Sequence, residues 1–259
     1  MSKNFKPILV VAGDPKSIFL EIYIKSLRLK KISNPLILII NEKILIDQMK
    51  ILNQKFRLNK LKDTKTDFSK LNNKMINFIN VPLNSKNNND YIKRCFELAL
   101  ELLKKNKKLQ LLNGPINKKR FFKGKYPGVT EYLGSKTKRI KDVVMLIFNR
   151  KLSVCPITTH VPLKEVHLFI SKKKIINHVK LINEFYKKRF KIKPKIALTG
   201  LNPHCESNFK SSEEKKIIIP AMKYLIKQKY NVFGPFPADT IFLKNNLVKF
   251  DVIIGMYHD

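Results

Sequence analysis

The feature that most constrains this fold is a repeated alternation along the chain. Short runs of Ile, Leu and Val are each followed by an amphipathic segment of helical period. "PILVVAG" (7–13) precedes "SIFLEIYIKSLRLKK" from Ser17, and "PLILII" (35–40) precedes "NEKILIDQMKILNQ", where Asn41 is placed to cap a helix. The pattern continues through "MINFINV" (75–81), the helical "YIKRCFELALELLKKN" (91–106), "LQLLNG" (109–114), "VVMLIF" (143–148) and "LSVCPITTH" (152–160). A long helix follows from Ser171, with Ile175, Val179, Ile182 and Tyr186 on one face. "KIALTG" and "VIIGM" are the last two strand candidates, with a predicted helix over 213–229 between them. Strands with no polar alternation must be covered on both faces, and strands separated by helices favour parallel pairing. The expected class is therefore α/β, with mainly parallel sheets under helices. Gly and Pro interrupt the pattern in "GKYPGVTE" (124–131), which marks the expected domain junction.

Composition narrows the functional classes. At 259 residues and 44% hydrophobic content, the chain can bury a substantial core. Cys95, Cys155 and Cys205 are widely spaced with no C-x-x-C pair, which argues against a disulfide framework or zinc ribbon and for a reducing cytoplasm. No apolar run approaches the ~18 residues of a membrane span. The formal charge of +34 points by itself to nucleic acid. Only seven of the 53 basic residues are Arg, however, and the lysines are scattered over every predicted helix. Solvated lysine faces are the expected outcome, with a field that attracts phosphorylated anions.

Of the five histidines, His160, His204 and His258 each follow the carboxyl end of a predicted strand, where an open parallel sheet binds its ligands. Three neutral imidazoles with an open position suit a catalytic metal such as Zn, Co, Fe or Ni. His167 and His178 fall within predicted helices and are expected to be ordinary packing or surface residues. On the same edge, "GPFPADT" (234–240) carries Asp239, whose residue type also fits the cap of a helix beginning at Thr240. "NGPINKKR" (113–120) places Lys118 near a helix start, where a cation opposes the dipole unless an anion shares the site. The sequence contains no G-x-G-x-x-G, no P-loop and no G-x-S-x-G. Spacing thus leads to a metal-dependent α/β enzyme with an anionic substrate.

Taken in order, "NGPINK", "GVTE", "TTHVPL", "GLNPH", "GPFPADT" and "MYHD" resemble the 4-hydroxythreonine-4-phosphate dehydrogenase family. The resemblance implies an isocitrate/isopropylmalate dehydrogenase-like fold of two α/β/α subdomains, with an active site completed across a homodimer. It assigns residues 1–127 to a first subdomain that a further C-terminal segment would complete. Residues 128–259 form a second subdomain that carries the metal ligands and whose end returns toward the first. It implies NAD bound without a Rossmann loop, and a divalent cation (Zn, Mg or Co) held by His160, His204 and His258. It also implies substrate contact by Thr130, with Asp239 and Lys118 as candidate catalytic residues. The implied activity is NAD-dependent oxidation and decarboxylation of 4-phosphohydroxy-L-threonine to 3-amino-2-oxopropyl phosphate, in the cytoplasm, on the route to pyridoxal phosphate.

The chain departs from the family pattern at four places. The first loop reads "GDPKSIFLE" (13–21) and lacks two glycines of the family's GDPAGIGPE. Val129 stands where the family has His, and "CES" (205–207) replaces a small, glycine-rich stretch after His204. The family's Q-G-x-x-P-x-K segment after YHD is missing, which implies a C-terminally truncated chain. Val129 and the altered first loop leave room for a related oxidative decarboxylase of a phosphothreonate or phosphoerythronate. The competing expectations are an inactive fragment and a nucleic-acid binder on a decayed scaffold.

Overall fold

A computed structural model describes residues 6–29, 32–62, 68, 71–83, 88–106, 108–139, 143–149, 151–205 and 209–258. Glu206, Ser207 and Asp259, which belong to two of the motifs above, lie outside the described residues. The chain divides into two compact units, residues 1–125 and 126–259, separated within the Gly/Pro-rich stretch.

In the first unit, β1 (Ile8–Val11), β2 (Leu36–Ile40), β3 (Leu58–Lys60), β4 (Ile76–Asn80) and β5 (Gln110–Asn113) form one parallel sheet in the order β3-β4-β2-β1-β5. Every residue of β2 is buried, as expected of a central strand covered on both faces. Alternate residues go to opposite layers. Val10, Leu38, Ile40, Ile76 and Phe78 join one core with Leu20, Tyr23, Ile24 and Leu45 from the helices α1 (Phe19–Leu29) and α2 (Glu42–Ile51). Helix α3 (Asn88–Lys105) packs on β1, β2 and β5. Asn41 caps α2 as expected, its side-chain oxygen accepting from the Lys43 and Ile44 N–H groups. The short α4 (Lys118–Phe122) follows β5.

In the second unit, β6 (Ser153–Pro156), β7 (Ile196–Thr199), β8 (Val232–Phe236) and β9 (Val252–Gly255) form a second parallel sheet in the order β6-β9-β7-β8. Ile196, Leu198, Val252 and Ile254 pack against Ile175, Val179, Ile182 and Tyr186 of α6 (Lys172–Phe190) and against Ala221 and Leu225 of α7 (Ile219–Lys227). Ala197 and Ile253 point to the other face, against Ile241. Ser171 caps α6 through the Lys174 N–H. Among the described residues, the remaining helices are α5 (Val129–Lys136), the single turn α8 (Lys244–Leu247) and a 3-10 helix over Leu163–Phe169, which carries His167.

Three expectations are corrected. "VVMLIF" is not a strand and meets β6 only through an antiparallel bridge between Ile147 and Val154. The helix expected over 213–229 opens with a π-helical turn, Glu214–Ile218, before α7 begins. The helix expected from Thr240 is absent: residues 240–243 are turns, and α8 starts at Lys244. Among the described residues, no helix is long and apolar enough to cross a membrane.

Candidate active site

The sheet order of the second unit fixes which loops are neighbours. All four strands are parallel, so the segments leaving β6, β9, β7 and β8 line one edge in that order, carrying His160, His258, His204 and Asp239. The structure brings these residues together in pairs. The His160 and His258 rings lie 6.1 Å apart at 28° between planes, and both residues are exposed. His204 Nδ1 lies 3.2 Å from Asp239 Oδ2.

The first pair is held by the strand ends beneath it. Ile157 N–H donates to Gly255 O at 2.8 Å, and the buried Thr158 hydroxyl donates to Met256 O at 2.9 Å. These bonds tie the two histidine-bearing segments just before their imidazoles emerge. His160 itself has φ 57°, a left-handed conformation that costs roughly 1–3 kcal/mol for a non-glycine residue. Motif reading selected the histidine of "TTH", but the first threonine does the fastening.

The second pair depends on a tightly wound loop. Gly200 N–H donates to both Phe236 O and Cys205 Sγ at 3.1 Å, and His204 N–H donates to Asn202 Oδ1 at 3.0 Å. Ala238 N–H donates to Pro203 O at 2.8 Å, which ties the His204 loop to the segment carrying Asp239. The Leu201 and Asn202 N–H groups both donate to the buried carboxylate of Glu214, each at 2.9 Å. Sequence reading missed Glu214, because an acidic residue opening a helix carries no positional signature. Asp239 is not a helix cap; its carboxylate faces His204 instead.

The donor set fits a divalent cation in chemistry and in its order along the edge. With Nδ1 facing a carboxylate, Nε2 of His204 is the nitrogen left to ligate, an arrangement common among metal-bound histidines. In this conformation, no three His, Cys, Asp or Glu residues among those described are close enough to hold a metal. The four side chains stand as two pairs, His160 with His258 and His204 with Asp239, rather than as one cluster. Cys205 sits beside them at φ 58°. Burial pushes its thiol pKa up; the Gly200 N–H opposes this, and the Glu214 and Asp239 carboxylates add to it. A protonated thiol is a poor ligand. His178 is buried in α6, with Nδ1 2.9 Å from Lys174 O, as a packing residue.

Thr130 is exposed in the first turn of α5, and Val129 before it is half-buried. Lys118 belongs to the first unit, exposed at the start of α4, whose cap is Asn117 accepting from the Arg120 N–H. The first loop of that unit offers no glycine cradle for a nucleotide. Its remaining glycine, Gly13 at φ 80°, abuts the segment after β5, and an added Cβ would lie 2.4 Å from Pro115 O.

The family model described as pyridoxal phosphate biosynthetic protein PdxA matches residues 31–259. The chain belongs to the PdxA family. A 4-hydroxythreonine-4-phosphate dehydrogenase of Sulfurihydrogenibium sp. is 33% identical over 97% of this chain and 80% of its own length. A D-threonate 4-phosphate dehydrogenase of Salmonella typhimurium is 31% identical over 66% of this chain and 53% of its own. The solved 4-hydroxythreonine-4-phosphate dehydrogenase of Klebsiella pneumoniae has a TM-score of 0.82 at 27% identity, covering 98% of this chain and 82% of that one. Membership in the PdxA family makes this chain an oxidoreductase on a mainly parallel α/β fold.

Proposed function

We propose that the chain is a metal- and NAD-dependent dehydrogenase of a phosphorylated hydroxy acid, with 4-phosphohydroxy-L-threonine as substrate and 3-amino-2-oxopropyl phosphate and CO2 as products. The observation that carries this reading is the His204–Asp239 pair on a parallel sheet edge shared with His160 and His258. His160, His204 and His258 would hold the cation. Such a cation supplies Lewis-acid polarisation of the substrate hydroxyl and, after oxidation, of the keto oxygen.

The chain's own residues do the rest. The Asp239 carboxylate, 3.2 Å from Nδ1 of His204, would favour the imidazole tautomer that leaves Nε2 free. Thr130 presents a hydroxyl to the substrate, and Lys118 offers a cation to its phosphate or to the developing alkoxide. The substrate carbon gives a hydride to oxidised NAD while its hydroxyl gives up a proton. The resulting β-keto acid then loses CO2. The active unit is proposed to be a cytoplasmic homodimer; the three free cysteines suit a reducing compartment.

A second reading, D-threonate 4-phosphate as substrate, is favoured by Val129, an apolar residue beside Thr130 that cannot hydrogen-bond. One assay separates the two: NADH formation from each compound, with and without a chelator. Chelator-sensitive turnover of 4-phosphohydroxythreonine alone supports the first reading, and turnover of D-threonate 4-phosphate alone replaces it with the second. Turnover that a chelator leaves untouched refutes the metal site.

A further inference from the structure

The carboxylate beneath the His204 loop lies outside the six sequence motifs quoted above. Glu214 is 3% exposed and opens the π-helical turn. It accepts two consecutive backbone N–H groups, from Leu201 and Asn202, both through Oε1 at 2.9 Å. Burying a carboxylate is unfavourable unless strong donors meet it, and two amides aimed at one oxygen are such donors. A single-turn π bulge is a recurrent way of re-aiming one side chain at a functional loop.

The loop closes on this carboxylate without slack. A Cβ on Gly200 would lie 2.4 Å from Cys205 Sγ, 2.9 Å from Asn202 O and 3.1 Å from Glu214 Oε1. Asn202 then turns the chain, its Oδ1 accepting from His204 N–H and its O accepting from Cys205 N–H at 2.9 Å. The backbone path from the buried oxygen to the imidazole is thus two residues long and hydrogen-bonded at each step. We propose that Glu214 is a positioning residue for His204, fixing the loop so that the imidazole meets Asp239 and presents its other nitrogen at the sheet edge. The proposal rests on the reading of His204 as a metal ligand, but part of its test does not.

The variants are Glu214→Ala and Glu214→Gln in the full chain. Gln keeps an oxygen that accepts N–H but loses the charge, so it gives the smaller effect. In Glu214→Ala, the Leu201 and Asn202 amides should exchange with solvent at least ~10-fold faster, and the His204 ring NMR signals should shift. The amides of Leu198 and Ile254 in the sheet core should be unchanged. Co2+ affinity should fall ~10–100-fold, the range typical of groups that orient metal ligands.

A folded Glu214→Ala variant whose Leu201 and Asn202 amides exchange at the wild-type rate overturns the proposal. So does equal acceleration of the core amides, which marks a merely structural role. If the Ala variant does not fold, Glu214→Gln decides: wild-type exchange and wild-type Co2+ affinity together overturn the proposal. Wild-type protein that binds no Co2+ sinks the metal reading, while the exchange measurement still decides whether Glu214 positions His204.

Discussion

Asp239→Asn separates stability from function at the sheet edge. The His204 and Asp239 side chains are 74% and 44% exposed and 3.2 Å apart, so water screens the pair. Exposed pairs of this kind contribute about 0–1 kcal/mol. In a protein of this size, that loss lowers Tm by no more than about 4 °C. Asn keeps the shape and an acceptor oxygen but removes the charge that favours an imidazole with its Nδ1 proton directed at residue 239. If Asp239 orients His204 in the reaction, turnover falls at least ~10-fold, the lower end for loss of such an orienting partner. Asp239→Ala, which removes the acceptor as well, should fall further. NADH formation at saturating cation and substrate, read beside thermal unfolding of the same samples, measures both quantities. Wild-type turnover in Asp239→Asn would remove this carboxylate from the mechanism. A large drop in Tm would show that the pair is structural.

Lys118→Ala should also lower turnover at least ~10-fold without unfolding α4, because the Asn117 cap bond to Arg120 N–H does not involve the Lys118 side chain; unchanged rates in a folded variant would exclude Lys118 from the chemistry. His178 gives a pH signature of stability. Burial, the largest effect, pushes its pKa down to about 4, with the neighbouring Lys174 charge acting the same way and the bond to Lys174 O opposing. The unfolded chain therefore binds a proton near pH 6.5 that the folded chain refuses until about pH 4. Stability is unaffected above pH 6.5 and falls progressively from there to about pH 4, by roughly 3 kcal/mol in total. Urea unfolding across that range should show the slope in wild type and a shallower one in His178→Phe; identical slopes would refute the assignment.

Much of the fold was legible because strand and helix periods are local. β1, β2, β4, β5, β6, β7 and β9 all arise from the apolar runs, and the caps at Asn41 and Ser171 act as their residue types demand. "VVMLIF" shows the limit. Its composition is that of a strand, yet Phe148 stacks on Phe190 at 5.4 Å and meets Phe185 edge-on, so side-chain packing with α6 takes the place of a ladder. β3, "LNK", was too short and polar to be seen. At the site, sequence put His204 and Asp239 on one edge. Their pairing follows from β7 lying beside β8, a tertiary fact. Glu214 was illegible for the same reason: its partners are backbone amides more than ten residues away, and no residue type marks such an amide pair.

The net charge of +34 meets this geometry in an unexpected way. A strongly basic chain should repel a divalent cation, yet exposed lysines are screened beyond about 8–10 Å at physiological salt. Beside His204 stands the carboxylate of Asp239, and that of Glu214 holds the Leu201 and Asn202 amides of the same loop. Local charge therefore favours a cation, while the lysine field draws in a phosphorylated anion from a distance. The two effects should separate by ionic strength. Raising salt from about 0.05 to 0.5 M shortens the Debye length roughly threefold and should raise KM for the phosphorylated substrate several-fold, with Co2+ affinity changing much less. If both weaken in parallel, the cation site is governed by the same long-range field as the substrate, and the two carboxylates around the His204 loop are not what sets its sign.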